Sequence, residues 1–288
     1  MSTDNTKCVL SGFSDRRLKV ITTSYGSASA ARNAGLQVAS GEYIQFLDAD
    51  DILADNKIQT QIDTLSQASP LSVANCPWGH FTASTTESAI QRQPIDRDIA
   101  PIDWLIGSWN GGGMAQTACW LTPARLIKAA GTWNESLTKN PNDDGEFFCR
   151  VLLHADQIYF TPETRIFYRL PVDGSVSRVQ SQQQAISLLN SYIECEKHIR
   201  ASEDSTRTRA AAAQNYYRFI YEFGRLFPTS SKVAAQQIAL LGHPPCTSVG
   251  SPRFKNLVHT FGFNIAIAIR ILNARSTRRP ARVTRQDS

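Results

Sequence analysis

Residues 27–61 read SASAARNAGLQVASGEYIQFLDADDILADNKIQTQ, and this stretch decides the fold. Ser27 is suited to cap a helix running through Ala39, because its hydroxyl can accept from a free N–H of the first turn, and Gly41 breaks that helix. Glu42 to Leu47 then reads as a strand that delivers Asp48, Asp50 and Asp51 at its carboxyl end. A second helix is expected from about Ala54 to Gln67, and a strand at Leu71 to Cys76 continues the alternation. Strands alternating with helices imply an α/β chain with a parallel sheet, in which ligands bind beyond the carboxyl ends of the strands. The acidic triplet sits at such an edge.

Upstream, Thr3 or Asp4 can cap a short helix ending near Gly12, and Leu18 to Thr22 reads as a short apolar strand. Downstream, residues 77–115 are rich in Thr, Ser, Pro and Gly, contain Trp104, Trp109 and three glycines at 111–113, and are expected to form long loops over a site. A helix follows near Pro123 to Ala130. Asp143, Asp144 and Glu146 then open an apolar helix running to about His154, a placement that the helix dipole favours. From residue 183 the apolar spacing turns helical through Ile186, Leu189 and Ile193, then Tyr217 and Ile220, then Val233 to Leu241, closed by Gly242. This division gives residues 1–177 as one region and 178–288 as a helical appendage.

The 288 residues are 42% hydrophobic and 19% charged, a globular balance that excludes collagen-like, mucin-like and acidic-tail classes. Six cysteines never fall closer than 30 residues apart, so neither a redox CxxC nor a paired-cysteine zinc site is present, and reduced cytoplasmic thiols are expected. No run approaches the roughly 20 apolar residues of a bilayer span, and the first 20 residues are too polar for a signal peptide. Residues 253–288 carry eight Lys and Arg against the single acid Asp287, net +7 of the chain's +5, which leaves the rest at −2. Next to Ile265, Ile267, Ile269, Ile271 and Leu272, that charge suits peripheral contact with an anionic membrane, such as the inner face of the plasma membrane; a packed element with a solvated arginine tail is the alternative. The alternating isoleucines fit a strand as well as a helix. No aromatic-interleaved basic motif supports nucleic-acid binding.

Three aspartates within four positions repel one another unless a cation compensates them. Oxygen ligands suit Mg2+ or Mn2+, which keep waters and use one or two carboxylates plus substrate phosphates. A solvated turn whose Asp51 caps the next helix is the simpler alternative. The small residues of 27–35 lack the GxxxxGK[ST] spacing of a phosphate loop, although Arg32 can reach an anionic ligand. No GxSxG, HExxH or GxGxxG occurs, and the histidines at 80, 154, 198, 243 and 259 are scattered.

Taken in order, these segments resemble family-two nucleotide-sugar glycosyltransferases with the A-type fold. Residues 27–61 resemble that family's ARNxGxxxAxGxYIxFLDxDD stretch, AAGTWNESL (129–137) the segment before its catalytic loop, NDDGEFFCRVL (142–152) its ED-containing helix, and FYRLPVDGSVSR (167–178) its YR-x-GSxS segment. The resemblance covers about residues 2–178 and implies a Rossmann-like mixed sheet flanked by helices. It further implies a nucleotide-sugar donor, most often a UDP-sugar, a glycan or lipid-linked acceptor, and a divalent metal on the diphosphate. By this resemblance Asp48 and Asp50 form the DxD motif, with Asp50 the direct metal ligand and Asp48 facing the ribose or a metal-bound water. Arg32 falls near the nucleotide, Asp144 is the general base, and Asp143 stands where the family carries glutamate. One displacement inverts the anomeric centre. Trp104, Trp109 or Trp133 can stack on an acceptor sugar or fill the core.

The family normally begins with a VSVIIPxYN strand, a helix and a second strand ending in DDGSTDNT, roughly 40 residues without counterpart after Met1-Ser2-Thr3. In the family's sheet those two strands lie between the strands matching Leu18 to Thr22 and Glu42 to Leu47, and they hold the nucleobase. Two explanations follow: Met1 is an internal codon of a longer frame, or the chain is a remnant without donor binding. On either, the chain is expected to be poorly stable with little or no transferase activity, and an in-frame VIIPxYN upstream of Met1 distinguishes them.

Overall fold

The protein is described by a computed structural model covering residues 4–24, 26–85, 88–90, 92–170 and 179–276. Pro171 to Arg178 of the YR-x-GSxS segment and the arginine-rich stretch beyond Ser276 lie outside the described residues.

Helix α1 (Thr6–Ser11) ends at Gly12, and α2 (Ala28–Val38) begins where Ser27 Oγ accepts from the Ala30 N–H at 3.2 Å. The expected strand at Leu18 to Thr22 is not formed: that run is irregular, and Leu18, Val20 and Ile21 are exposed. A strand holds its shape through a neighbour's ladder, and among the described residues no strand lies beside this one. The strand expected over 42–47 shortens for the same reason to β1 (Tyr43–Ile44), which pairs antiparallel with β5 (Thr122–Pro123).

Past the acidic turn come β2 (Ile52–Leu53), α3 (Lys57–Ser66), β3 (Ser72–Asn75) and β4 (Trp78–Phe81). Residues 77–115 are not simply loops. They contain β4 and α4 (Pro101–Gly107), followed by a wide helical turn over Ser108–Gly112. The polar composition hid the apolar faces of Trp78, Phe81, Trp104 and Leu105, all buried.

Helix α5 (Ala124–Ala130) stops at Gly131, whose φ of 82° a side chain would strain. Then follow α6 (Asp143–Leu153), β6 (Gln157–Phe160) and β7 (Ile166–Arg169). β6 runs parallel to β3, which meets Leu121 just before β5 through reciprocal backbone bonds of 3.0 and 3.1 Å, so β1, β5, β3 and β6 form an interrupted mixed sheet. A second sheet is ordered β2-β7-β4, with β7 parallel to β4. Behind the first sheet Phe46, Trp120, Trp133, Phe147 and Phe148 form an aromatic core.

The remaining chain is helical: α7 (Gln182–Ser202), α8 (Thr206–Phe223), α9 (Pro228–Leu240), α10 (Pro252–Phe261) and α11 (Phe263–Ser276). The isoleucine run at 265–271 is therefore helix. Cys195 and Ile199 of α7 enter the same core as Phe147 and Cys149 of α6, whereas Leu189, Tyr216, Phe219 and Ile238 build a second core among α7, α8 and α9. No helix of the described residues is long and apolar enough to cross a membrane.

Candidate active site

The sequence puts Arg32, Asp48 and Asp143 on three separate elements, and the fold closes them on one guanidinium. Arg32 lies one turn into α2, on the face it shares with Ser29. Its Nη2 donates to Asp48 Oδ1 at 2.8 Å and its Nη1 to Asp143 Oδ2 at 3.0 Å, while Ser29 Oγ donates to the same Asp143 oxygen at 3.0 Å. Burial works against the Arg32 charge, but Asp48 and Asp143 more than offset it, so the guanidinium is held above its ordinary pKa. Beneath it lies the Trp133 ring, 4.4 Å from the guanidinium carbon, and beneath Trp133 lies Phe147, stacked at 4.1 Å and 6°. Arg32 is thus fixed in plane by its two carboxylates and in depth by an aromatic stack.

Asn33 holds that stack in place from the next position of α2. Its side chain accepts from the Trp133 N–H at 2.8 Å and donates to the Trp133 carbonyl at 2.9 Å and to Glu135 Oε1 at 2.7 Å. Removing it strands a buried N–H. Asn33→Ala is therefore expected to destabilise the fold by about 2 kcal/mol, read from urea unfolding at unchanged slope.

Asp144 occupies the first turn of α6 beside Asp143. It accepts from Thr117 Oγ1 at 3.1 Å and from the Gly145 N–H at 2.8 Å. Burial first, and the neighbouring Asp143 second, push its carboxyl up to about 6, against the pull of Arg32 and those two donors. A carboxylate with that pKa is ionised at neutral pH yet basic enough to receive a proton.

The acidic turn itself is held from β7. Arg169 donates through Nε to the Asp50 carbonyl at 3.0 Å and through its backbone N–H to Asp51 Oδ1 at 3.0 Å, while its guanidinium lies 4.4 Å over Phe81. Asp51 is half-buried, and that burial, with repulsion from Asp50 and Asp48, raises its carboxyl to about 6 despite the Arg169 N–H. Asp50 is exposed. Among the described residues no group of three or more His, Cys, Asp or Glu is gathered closely enough to hold a metal, and Arg32 engages only Oδ1 of Asp48. The donor set thus fits a hard cation that takes most of its shell from water and ligand phosphate, with one or two oxygens from the Asp48–Asp50 turn.

A cleft of about 640 Å³ opens along Ala31, Arg32 and Gly35 of α2 and Tyr43, Gln45, Leu47 and Asp48 of the strand, a size that suits a small-molecule ligand. Its acidic end is the Arg32 junction. Trp104 and Trp133, 7% and 1% exposed, are core residues rather than platforms for a sugar, and Trp109 is half-buried between the two cores. Ser29, Thr117, Asn33 and Arg169 went unseen as site residues in the sequence. Ser29 carried a signal, three positions from Arg32 and so on the same helical face; Thr117 lies in a segment without a motif.

Residues 1–113 match the family model described as glycosyl transferase family 2. That likeness covers residues 1–113 of the 288. The chain is 42% identical over 188 residues to glycosyltransferase GlyG of Streptococcus pneumoniae, covering 62% of the chain and 61% of GlyG. It is 46% identical over 65 residues to the Escherichia coli UDP-Glc:alpha-D-GlcNAc-diphosphoundecaprenol beta-1,3-glucosyltransferase WfgD, covering 22% of the chain and 26% of WfgD. The chain thus spans between a quarter and three fifths of these curated relatives. The crystal structure of Staphylococcus aureus TarS 1-349 shares the fold, with a TM-score of 0.63 at 12% identity over 96% of this chain and 80% of that one.

Proposed function

We propose that this chain transfers a sugar from a nucleotide-sugar donor, a UDP-sugar, to a hydroxyl of a lipid-linked glycan acceptor, with inversion at the anomeric carbon. The observation that carries the reading is the Arg32 junction, in which a guanidinium on the cleft wall binds both Asp48 of the acidic turn, also on that wall, and Asp143 at the start of α6, next to Asp144. The acceptor class rests on WfgD, whose name gives a diphosphoundecaprenol-linked substrate. Residues 1–177 would carry the reaction and 178–288 the helical support. Free cysteines support a reducing cytoplasm as the compartment.

In this reading the donor lies in the cleft with its diphosphate at the acidic turn. Mg2+ or Mn2+ held by Asp50, with Asp48 beside it, would offset the charge that builds on the departing diphosphate. Asp144 removes the proton of the acceptor hydroxyl as that oxygen attacks the anomeric carbon. Thr117 and Gly145 hold the Asp144 carboxylate in place, and Asp143, fixed by Ser29 and Arg32, keeps the base's pKa high by repulsion.

Isothermal titration of the protein with UDP and Mn2+, followed by UDP release from UDP-sugars, tests the reading. UDP binding is expected to weaken at least tenfold with EDTA, and equally in Asp50→Asn, because one oxygen ligand of a sparse protein shell is lost. UDP binding that ignores both changes overturns the metal assignment. The second reading, a family-two chain that does not bind donor, draws on the exposed apolar run at 18–21. Absence of any UDP binding with the cooperative melt intact would establish it.

A further inference from the structure

We infer that helices α10 and α11 form a docking face for an anionic lipid bilayer, lying in its headgroup region rather than crossing it. The inference stands apart from the transferase reading, since it uses none of the site's residues. Helix α11 packs on α10, where Phe263 meets Phe254 at 6.0 Å between ring centroids, and on α8, where Phe263 meets Tyr217 at 4.5 Å and the Arg270 guanidinium lies 4.0 Å over Tyr221; Ala266 is fully buried. On the opposite side Ile265, Ala268 and Leu272, spaced at i, i+3 and i+7, form an outward apolar stripe, with Ile265 52% and Leu272 60% exposed. Gly262, at φ 78°, turns the chain between the helices and leaves Phe261 52% exposed beside that stripe.

The two helices carry charge of one sign: residues 252–276 contain Arg253, Lys255, Arg270 and Arg275 and no Asp or Glu, and Glu222 of α8 offsets Arg270 on the packed side. Arg253 and Lys255 of α10 are exposed and make no ion pair among the described residues. A basic helix pair with an outward apolar stripe, too short to span, matches the two forces that hold a peripheral helix: apolar burial at the acyl boundary and attraction to anionic headgroups. A protein partner would call for acidic side chains facing these cations, whereas a bilayer supplies both terms in one surface.

The test is co-sedimentation of the full chain with phosphatidylcholine vesicles and with vesicles containing phosphatidylglycerol. The protein should pellet with the anionic vesicles and not with the neutral ones. Ile265→Glu with Leu272→Glu should weaken partition at least tenfold, since two apolar side chains no longer enter the bilayer. Arg253→Gln with Lys255→Gln should weaken it roughly fivefold per charge. All four positions are exposed, so the melt should be unchanged. Equal pelleting with neutral vesicles, full retention in the glutamate variant, or a gel shift of RNA without vesicle binding would each overturn the inference.

Discussion

Asp144→Asn is expected to lower sugar transfer by roughly 10² to 10⁴, the range for losing a positioned general base, while the protein becomes more stable at neutral pH. The two effects have one cause. Asp144 is half-buried beside Asp143, so its ionised form is disfavoured and its carboxyl rises to about 6 from the ordinary 3.8. Between pH 4 and 6 the unfolded chain has released this proton and the folded chain keeps it, so stability falls as pH rises through that window and the loss is complete above it. Asparagine does not titrate and fills the same volume; its oxygen can still accept from the Gly145 N–H, the bond seen at 2.8 Å, and its amide nitrogen can donate to Thr117 Oγ1 where the carboxylate accepted from it at 3.1 Å. The variant should therefore gain about 1–2 kcal/mol over wild type near pH 7.5, and the gain should vanish near pH 4. Differential scanning calorimetry at the two pH values checks this. In the wild type, kcat/KM should rise with pH through an acid limb near 6 and level off above it. A variant that keeps full turnover removes Asp144 from the role of base.

What was legible in the sequence depended on whether a residue's role is local. Ser27 capping α2, the acid-rich start of α6 and the helical run from 182 onward follow from contacts within a few positions, and they stand as expected. The strand at 18–22 had the right composition, but a strand is made by its neighbour, and composition carries no information about who stands beside it. The same limit applies to β1, which keeps only the two residues that find β5. In the site, Arg32 was visible as a cation near an anion, yet its actual partners, Asp48 and Asp143, lie 16 and 111 residues away. The aromatic stack was less accessible still. Trp133 read more readily as a core residue than as a sugar platform, and the packing of Phe147 under it and Arg32 over it bears out the core.

Arg32→Met is expected to be the most disruptive single change in the site for stability. The guanidinium is 15% exposed and compensates Asp143, 18% exposed, together with the more open Asp48 at 45%. Breaking a buried pair by deleting one partner costs about 3–5 kcal/mol; because Asp48 retains water, about 2–3 kcal/mol is expected here, with unfolding measured in urea. Methionine still covers Trp133, so the loss reports charge rather than packing. A further readout separates this from general damage. Arg32 holds the Asp144 pKa down, so its removal should move the acid limb of kcat/KM above 6. Arg32→Lys should recover only part of the loss, since a single ammonium can neither serve two carboxylates through separate planar nitrogens nor lie flat on the Trp133 ring. Adding Asp143→Asn to Arg32→Met removes one unpaired charge and relieves Asp144 of its nearest repulsion. The double variant should then be less destabilised than the two single changes summed, and strict additivity would show that Arg32 and Asp143 do not act on each other.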